Sequence, residues 1–581
     1  MKKNIGGALR VSYSYLPRLW DTSCSAYRPL RAVTSRKMSG TKRPGDGLGP
    51  KAGEKRWKRK KIASEIGSSF RSTGSHEEVL LQDVKLLLGE AHEPGTAPEQ
   101  FSQVELSISM LGSTGDGLSI SHDGTRVYVV PFAVPGDTVV VKVVKNFPSY
   151  SMTDLIEVIK PSKNRDDDLV FCRYFGRCSG CQFQMLSGDY QLQHKQKVIA
   201  KAMQNFSNLD PSLIPPIGGV MPSPLLRGYR TKLTPHFDGP RRGGFKEGAP
   251  IPDIGFQLKG RSFVLDIEDC PIGTDAVRDG FKSQRTFVKE NLHTFKRGAT
   301  LLLRETTERT FSPETIDGRE AIRSYRDIKT CITDSKALVT EWIGKAKFIS
   351  PAGSFFQNNN SILEKVCRAL GNHVFELIFF FPPSVFSPLP KKKKKTDKGN
   401  YVSLIIHPRK FTTFVQEQLV IPKLAGQDHS ESYLIDAYCG SGLFSICCGH
   451  GFNGIIGVDI SSQSIESARK NATENGIHNA RFITGNAEAI FANIDFPPEL
   501  TSMVIDPPRK GCDELFLSQL LKLGPKRLVY ISCNVHTMAR DIGWIVQQGL
   551  GKDYRIDKIG GFDFFPQTHH VEGYAVLSKN S

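Results

Sequence analysis

Cys533, in the segment RLVYISCNVHTMARD, and Glu572, in QTHHVEGYAVLS, both follow a glycine-rich loop. A thiolate adds to an electron-poor carbon, and a carboxylate can then strip a proton from the neighbouring atom, so the two residue types make a nucleophile and a base. A cysteine after an apolar strand is more often a small core residue, and only context lifts it above that reading. Here LVYIS (528–532) reads as a buried strand, which sets Cys533 at the C-terminal end where open parallel sheets hold ligands. Asn534, His536 and the helix-like MARDIGWIVQQ follow at once, so the spacing predicts a thiol at a helix start with a lowered pKa.

The upstream loop runs Asp436, Ala437, Tyr438, Cys439, Gly440, Ser441, Gly442 between a strand and a helix, and its glycines let a backbone approach a ligand closely. Asp459 ends the next strand, where an acid can bind two ribose hydroxyls, and Asn486 and Asp506 end the third and fourth. Strand ends in register point to a nucleoside cofactor. With neither a full GxGxxG nor a Gly-Lys-Ser/Thr phosphate loop in this region, S-adenosylmethionine fits better than a dinucleotide or ATP. Asp506 opens a turn in which Pro507 and Pro508 remove donors and stiffen the backbone, leaving polar groups at its rim.

These residues must be carried by a folded scaffold. The chain has 581 residues, 39% hydrophobic and 23% charged, which suits a globular protein of several domains. Its longest apolar run, HVFELIFFFPPSVF, is short and broken by Pro382 and Pro383, so no membrane span is expected. The formal charge of +18 points to a polyanion, since basic residues continue through LLRGYRTK and PRRGGFK; a soluble enzyme with basic arms is the competing reading. Twelve cysteines in so long a chain, without a secretory h-region, imply a reducing compartment.

Residues 1–100 read as a basic, largely disordered extension. Within it, 1–37 has the positive charge and scarcity of acids of an organellar transit peptide, and 41–63 is a basic cluster of nuclear-signal or RNA-binding type. Mitochondrial and nuclear or cytoplasmic locations are therefore both expected. Residues 101–161 alternate short β-rich runs with Asp-Gly and Pro-Gly breaks, which predicts a small five-stranded barrel. A central α/β domain follows over 162–350. Residues 351–581 alternate strand and helix as a doubly wound parallel sheet with an antiparallel C-terminal pair, interrupted by a Lys-rich insertion near 385–400.

Cys172, Cys178 and Cys181 are closely spaced, and Cys270 is a fourth candidate ligand; zinc, an iron–sulfur cluster and a group of buried free thiols all suit this pattern. Cys24, Cys331, Cys367, Cys439, Cys447, Cys448 and Cys512 read as core or surface thiols.

The motifs DAYCGSGLF, VIDPPRKG, ISCN and HHVEGY, with FISPAGSFFQNN and FCRYFGRCSGCQ upstream, resemble the RNA uridine C5-methyltransferases, above all the fungal enzymes acting on tRNA uridine 54. The resemblance extends over roughly residues 101–581 and implies a Rossmann-like methyltransferase domain beside a TRAM-like barrel. It implies Gln357, Tyr438, Asp459 and Asp506 as contacts to S-adenosylmethionine, Asn486 as a further one, Cys533 as nucleophile and Glu572 as base. Asp459 stands where many relatives carry Glu. It also implies a [4Fe–4S] cluster on Cys172, Cys178, Cys181 and Cys270, and tRNA as partner with no obligate protein partner; ribosomal RNA is the alternative substrate. A uridine reaching the thiol must leave its stack. His194, Lys195 and Lys197 on a predicted helix over 186–205, Arg230 and Lys232, and His569 and His570 are candidate RNA contacts or simple structural residues. Two competing functions remain: a non-catalytic RNA-folding factor, against which the intact Cys533 and Glu572 argue, and a nuclease, which would need clustered metal-binding acids.

Overall fold

The computed structural model describes residues 72–89, 95–240, 243–316, 319–363, 411–421, 431–485, 494–548 and 553–580, with side chains left out at 312–324. All belong to one compact unit, Arg71–Ser581. The segments 1–37 and 41–63 read as targeting signals, the Lys-rich insertion, Cys24, Cys367 and Asn486 lie outside the described residues.

The site is built on a sheet of eight strands, numbered here in chain order: β1 Ile217–Met221, β2 Tyr433–Ala437, β3 Gly454–Asp459, β4 Ala480–Thr484, β5 Thr501–Ile505, β6 Arg527–Ser532, β7 Tyr554–Phe562 and β8 Glu572–Lys579. Their order is β4-β3-β2-β5-β6-β8-β7-β1. Strands β2 to β6 pair in parallel, β8 pairs antiparallel with both β6 and β7, and β1 adds in parallel to β7. The inner strands are continuous apolar runs because both faces are covered: β5 and β6 are buried throughout. Helices Leu443–Cys448, Ser462–Glu474, Glu514–Leu523 and Val535–Gln547 alternate with the parallel strands. Phe411 meets Phe562 and Phe564 edge-on at 4.9 Å in the core of one face.

The predicted split at residue 350 is crossed by the chain. Strand β1 comes from the segment read as the central domain, and helix Gly188–Phe206, just before it, packs on Val535–Gln547, β1 and β7. That helix does not present the solvated basic face weighed from sequence. Lys195 is fully buried in an ion pair with Asp563 and also donates to Phe565 O at 2.9 Å, while His194 is buried beside Phe183 and Lys197 alone of the three is exposed.

Residues 103–160 form a mixed sheet of six strands rather than the expected five, in the order Gln103–Ser107, Thr138–Asn146, Tyr150–Lys160, Val127–Val130, Gly117–Ile120, Met110–Leu111. The sixth is the two-residue strand Met110–Leu111, too short to show an alternating pattern. The two end strands are consecutive in the chain, joined through Ile108 and Ser109, so the sheet must curl round on itself. Part of the expected disordered extension is also ordered: His76–Leu88 is a helix whose Leu80 and Val84 are buried against Leu118, Val127 and Val129 of this sheet.

Candidate active site

The sheet register brings the two predicted catalytic residues together. Cys533 follows the last residue of β6, Glu572 is the first of β8, and Ser532 pairs with Gly573 across the antiparallel ladder. An antiparallel neighbour starts where a parallel strand ends, so residues far apart in sequence share one rim. Helix Val535–Gln547 lies close over this rim: a Cβ on Gly573 would stand 2.6 Å from Val535 Cγ1 and 2.9 Å from Met538 Cε.

Asp506 follows β5, next to β6, and the turn after it carries Arg509 close enough to Cys533 for the guanidinium to favour the thiolate. Glu572 is buried, with 1% of its surface exposed; burial first and the charge of Asp506 second raise its pKa well above the usual carboxylate range, against the pull of Arg509. Burial, with Asp436 adding repulsion, pushes Asp506 up to about 7. The Cys533 thiol is pushed up to about 12, by burial and then by Glu572 and Asp506, with Arg509 opposing. This corrects the expectation of a lowered thiol pKa. Asn534, not Cys533, caps the helix, its side chain accepting from His536 N at 3.1 Å, so the thiol stands outside the first turn, and burial, followed by its carboxylate neighbours, prevails over the dipole.

Arg509 carried no sequence-based assignment, though VIDPPRKG contained it. Its turn is bound to the helix by several groups: Asn534 Nδ2 and Thr537 Oγ1 donate to Arg509 O at 2.9 and 3.2 Å, Arg540 Nη2 to Lys510 O at 2.9 Å, and Cys512 N to Asp541 Oδ2 at 2.7 Å.

At the neighbouring strand ends the glycine loop forms a cradle. Tyr438, Gly440 and Gly442 adopt positive φ of 66°, 53° and 91°. Asp459 Oδ2 accepts from Gly440 N at 3.0 Å and its Oδ1 from Ser461 N at 2.8 Å, while Asp436 Oδ2 accepts from Ser445 N at 2.8 Å. Three observations fit a nucleoside-bearing methyl donor here: a Cβ on Gly440 would meet only open space, Asp436 Oδ1 is buried without a partner, and Ile460, beside Asp459, exposes 77% of its surface. Tyr438 reaches across to Phe516, ring centroids 5.0 Å apart. Gln357 is buried, and the segment after it is fixed close to the catalytic strands, Asn359 Nδ2 donating to Phe564 O at 3.2 Å.

The loop before Glu572 is set by the distant helix and by the six-stranded sheet. Gln567 holds a positive φ of 70°, with its N–H donating to Gln191 Oε1 at 3.0 Å and its carbonyl accepting from Gln182 N at 2.7 Å. His569 Nδ1 lies 2.7 Å from Gln182 Oε1, and Gln182 Nε2 donates to Thr114 O at 2.9 Å. Burial lowers the pKa of both histidines, His570 to about 4, so neither carries charge at neutral pH. Arg230 and Lys232 are partly buried and bonded to carbonyls, Arg230 Nε to Lys232 O at 3.1 Å and Lys232 Nζ to Gly353 O at 3.4 Å.

Cys172, Cys178, Cys181 and Cys270 are free thiols brought near enough that each of the others raises the pKa of Cys270, though burial is the larger cause. Among the described residues no group of three or more His, Cys, Asp or Glu side chains is arranged to hold a metal ion, so the expected ligand set is not drawn to coordinating separation. The donors suit a soft metal in kind; their spacing here does not make a coordination shell. No helix among the described residues is long and apolar enough to cross a membrane.

Residues 412–580 match the family model described as tRNA (Uracil-5-)-methyltransferase. The chain is 44% identical over 506 residues to the tRNA (uracil(54)-C(5))-methyltransferase of Schizosaccharomyces pombe, covering 87% of this chain and 84% of that protein. It is 37% identical to the enzyme of the same name from Saccharomyces cerevisiae over 558 residues, 89% and 80% of the two chains. In fold it is similar to the tRNA (uracil-54, C5)-methyltransferase of Pyrococcus abyssi, solved with S-adenosyl-L-homocysteine, with a TM-score of 0.51 at 22% identity over 82% of this chain and 100% of the other. Similarity of this degree, running through both curated relatives and through the strand ends just described, means that the chain belongs to the tRNA (uracil-5-)-methyltransferase family.

Proposed function

We propose that the protein methylates C5 of a uridine in tRNA, uridine 54 of the T loop, with S-adenosylmethionine as donor. The observation that carries this reading is the β6–β8 register, which sets Cys533 and Glu572 side by side with Asp506 and Arg509 around them. C5 of uracil is a poor nucleophile even toward a sulfonium methyl group. The Cys533 thiolate, favoured by Arg509, adds to C6 and forms a C–S bond, which gives C5 enolate character. S-adenosylmethionine, when bound, would supply the methyl group that C5 takes, its sulfonium sulfur leaving as the thioether. Glu572 then takes the C5 proton, the electrons of that C–H bond restore the C5=C6 double bond, and the C6–S bond breaks to return the thiolate. Tyr438, Asp459 and Gln357 would hold the donor, with Asp459 as the acid for its ribose hydroxyls.

The test is labelling from radioactive donor into separate tRNA and ribosomal RNA pools, wild type beside Cys533→Ala. Label is expected in tRNA only, on C5 of one T-loop uridine, and only with wild type; equal labelling by the variant removes the proposed nucleophile.

We read the curled six-stranded sheet as the TRAM-like RNA-binding barrel. Lys142 lies over the exposed ring of Phe101 at 5.3 Å and Lys145 over Phe147 at 4.5 Å, the cation and aromatic pairing that single-stranded RNA favours. The cysteine quartet is read as a structural [4Fe–4S] site on the kind of its donors alone, not on their spacing; iron and acid-labile sulfide in anaerobically purified protein check this, and absence of both overturns it. Residues 1–37 and 41–63 are assigned to mitochondrial and nuclear targeting, which fluorescent fusions of the full chain with either segment deleted would separate.

A further inference from the structure

Residues 72–75 run along the start of the Val535–Gln547 helix, beside the nucleophile. Arg540 Nη1 donates to Ser72 O at 2.7 Å, and Asn534 Nδ2 donates to Gly74 O at 3.3 Å as well as to Arg509 O at 2.9 Å. Gly74, at φ +56°, lies directly on this surface: a Cβ there would stand 3.0 Å from Thr537 Cγ2 and 3.2 Å from Asn534 Nδ2. One carboxylate fixes the shape of the segment. Glu78 Oε2 accepts from Thr73 N at 2.9 Å, Thr73 Oγ1 at 3.0 Å and Gly74 N at 3.0 Å, while Ser75 caps the helix by accepting from Glu78 N at 3.3 Å. This is a capping arrangement in which the N3 acid reaches back to the residues before the cap. Midway along the same helix Asp83 accepts from Ser113 N, in the turn between strands Met110–Leu111 and Gly117–Ile120 of the six-stranded sheet, and from Lys201 Nζ, the latter at 2.7 Å.

We propose that residues 72–88 are a positioning strap: they tie the six-stranded sheet to the nucleophile loop and, through Asn534, fix the backbone of Arg509 so that its guanidinium stays on Cys533. The strap adds to contacts that already hold this turn, Gly511 N donating to Pro508 O at 2.8 Å within it and Thr537 Oγ1 to Arg509 O at 3.2 Å from the helix, while Arg509 itself is exposed. The Asn534 amide has two hydrogens and spends one on Arg509 O; the Gly74 carbonyl takes the other and stops the amide from turning away. The strap thus acts on the thiol without touching it. The proposal rests on the reading of Cys533 as nucleophile, and its test is therefore a measurement of thiol chemistry that needs neither RNA nor methyl transfer.

The measurement is the rate of Cys533 alkylation by iodoacetamide against pH, read by mass spectrometry of its peptide in full-length protein, together with amide hydrogen exchange over 509–511. The groups facing the thiol are Glu572, Asp506 and Arg509, and only the placement of Arg509 is expected to change. In Glu78→Ala and in Asn534→Ser, which keeps a capping hydroxyl but loses the amide donors, the midpoint should rise by about one pH unit, a roughly tenfold slower alkylation below it. Exchange at 509–511 should quicken in both. Glu78→Gln, which keeps an acceptor for Thr73 and Gly74, should restore the wild-type profile. Folded Glu78→Ala with wild-type alkylation and exchange overturns the proposal, and so does a variant that lowers only the melting temperature. If Glu78→Ala does not fold, Asn534→Ser decides by the same criteria. Should Cys533→Ala still methylate tRNA, the functional reading fails while the alkylation result stands.

Discussion

A thiol, two carboxylates and a guanidinium share one rim, and three of the four are poised against ionisation. Burial and mutual repulsion hold Asp506 near 7 and Glu572 higher than an ordinary carboxylate, with Cys533 pushed up in turn. On the proposed mechanism Cys533 and Glu572 must both be ionised to act, and raised pKa values mean that the ionised fraction falls as pH drops. The rate of methylation is therefore expected to climb with pH through neutrality, by up to about tenfold per unit while a single group limits; a rate that is flat from pH 6 to 9 with chemistry rate-limiting would contradict this. Arg509→Ala takes away a cation beside the thiol and should slow trapping on 5-fluorouridine RNA, about tenfold for each unit that the thiol rises. Glu572→Gln leaves addition and methyl transfer in place but no base, so the methylated covalent complex should accumulate while turnover falls about 10²–10⁴-fold. Gel-shift of the protein–RNA adduct separates it from Arg509→Ala, which should show less adduct instead. At this scale Cys533 and Glu572 were legible because their motifs are distinctive. Arg509 and Asn534 were not, because a role exerted through a carbonyl or across a turn leaves no spacing signal.

Among the elements, the end of β6, the start of β8 and the helix over them decide whether the chemistry has a place to happen. Gly573 allows helix Val535–Gln547 to sit against β8, and Gly573→Ala drives a methyl group toward Val535 and Met538. Overpacking of this kind costs about 1–3 kcal/mol; the expected result is a lower denaturation midpoint in urea together with slower adduct formation, because Cys533 immediately precedes Asn534, the cap of the displaced helix. The parallel strands and the antiparallel pair could be read from their continuous apolar runs and flanking turns. The thiol pKa could not. It was inferred from a helix start, yet the cap belongs to Asn534 and the burial and neighbouring charges that outweigh the dipole come from β5 and β8.

Across the whole molecule, segments far apart in the chain complete the catalytic fold. Helix Gly188–Phe206 and strand β1 belong to the large sheet although some two hundred residues separate them from most of it. Residues 351–581 expressed alone would leave β7 without β1, one of its two neighbours, and Asp563 without Lys195; the expected product binds hydrophobic dyes and melts without a cooperative transition. In the full chain, Lys195→Met leaves a carboxylate buried and unpaired, a loss of about 3–5 kcal/mol that calorimetry would register. The sequence by itself determined the chemistry and the doubly wound pattern, since a nucleophile, a base, a glycine loop and apolar strands are local facts of residue type and order. Tertiary structure decided the boundaries, the burial and the protonation, because a buried lysine, a raised thiol and a strand borrowed from another segment depend on what lies across the fold, and no local window contains it.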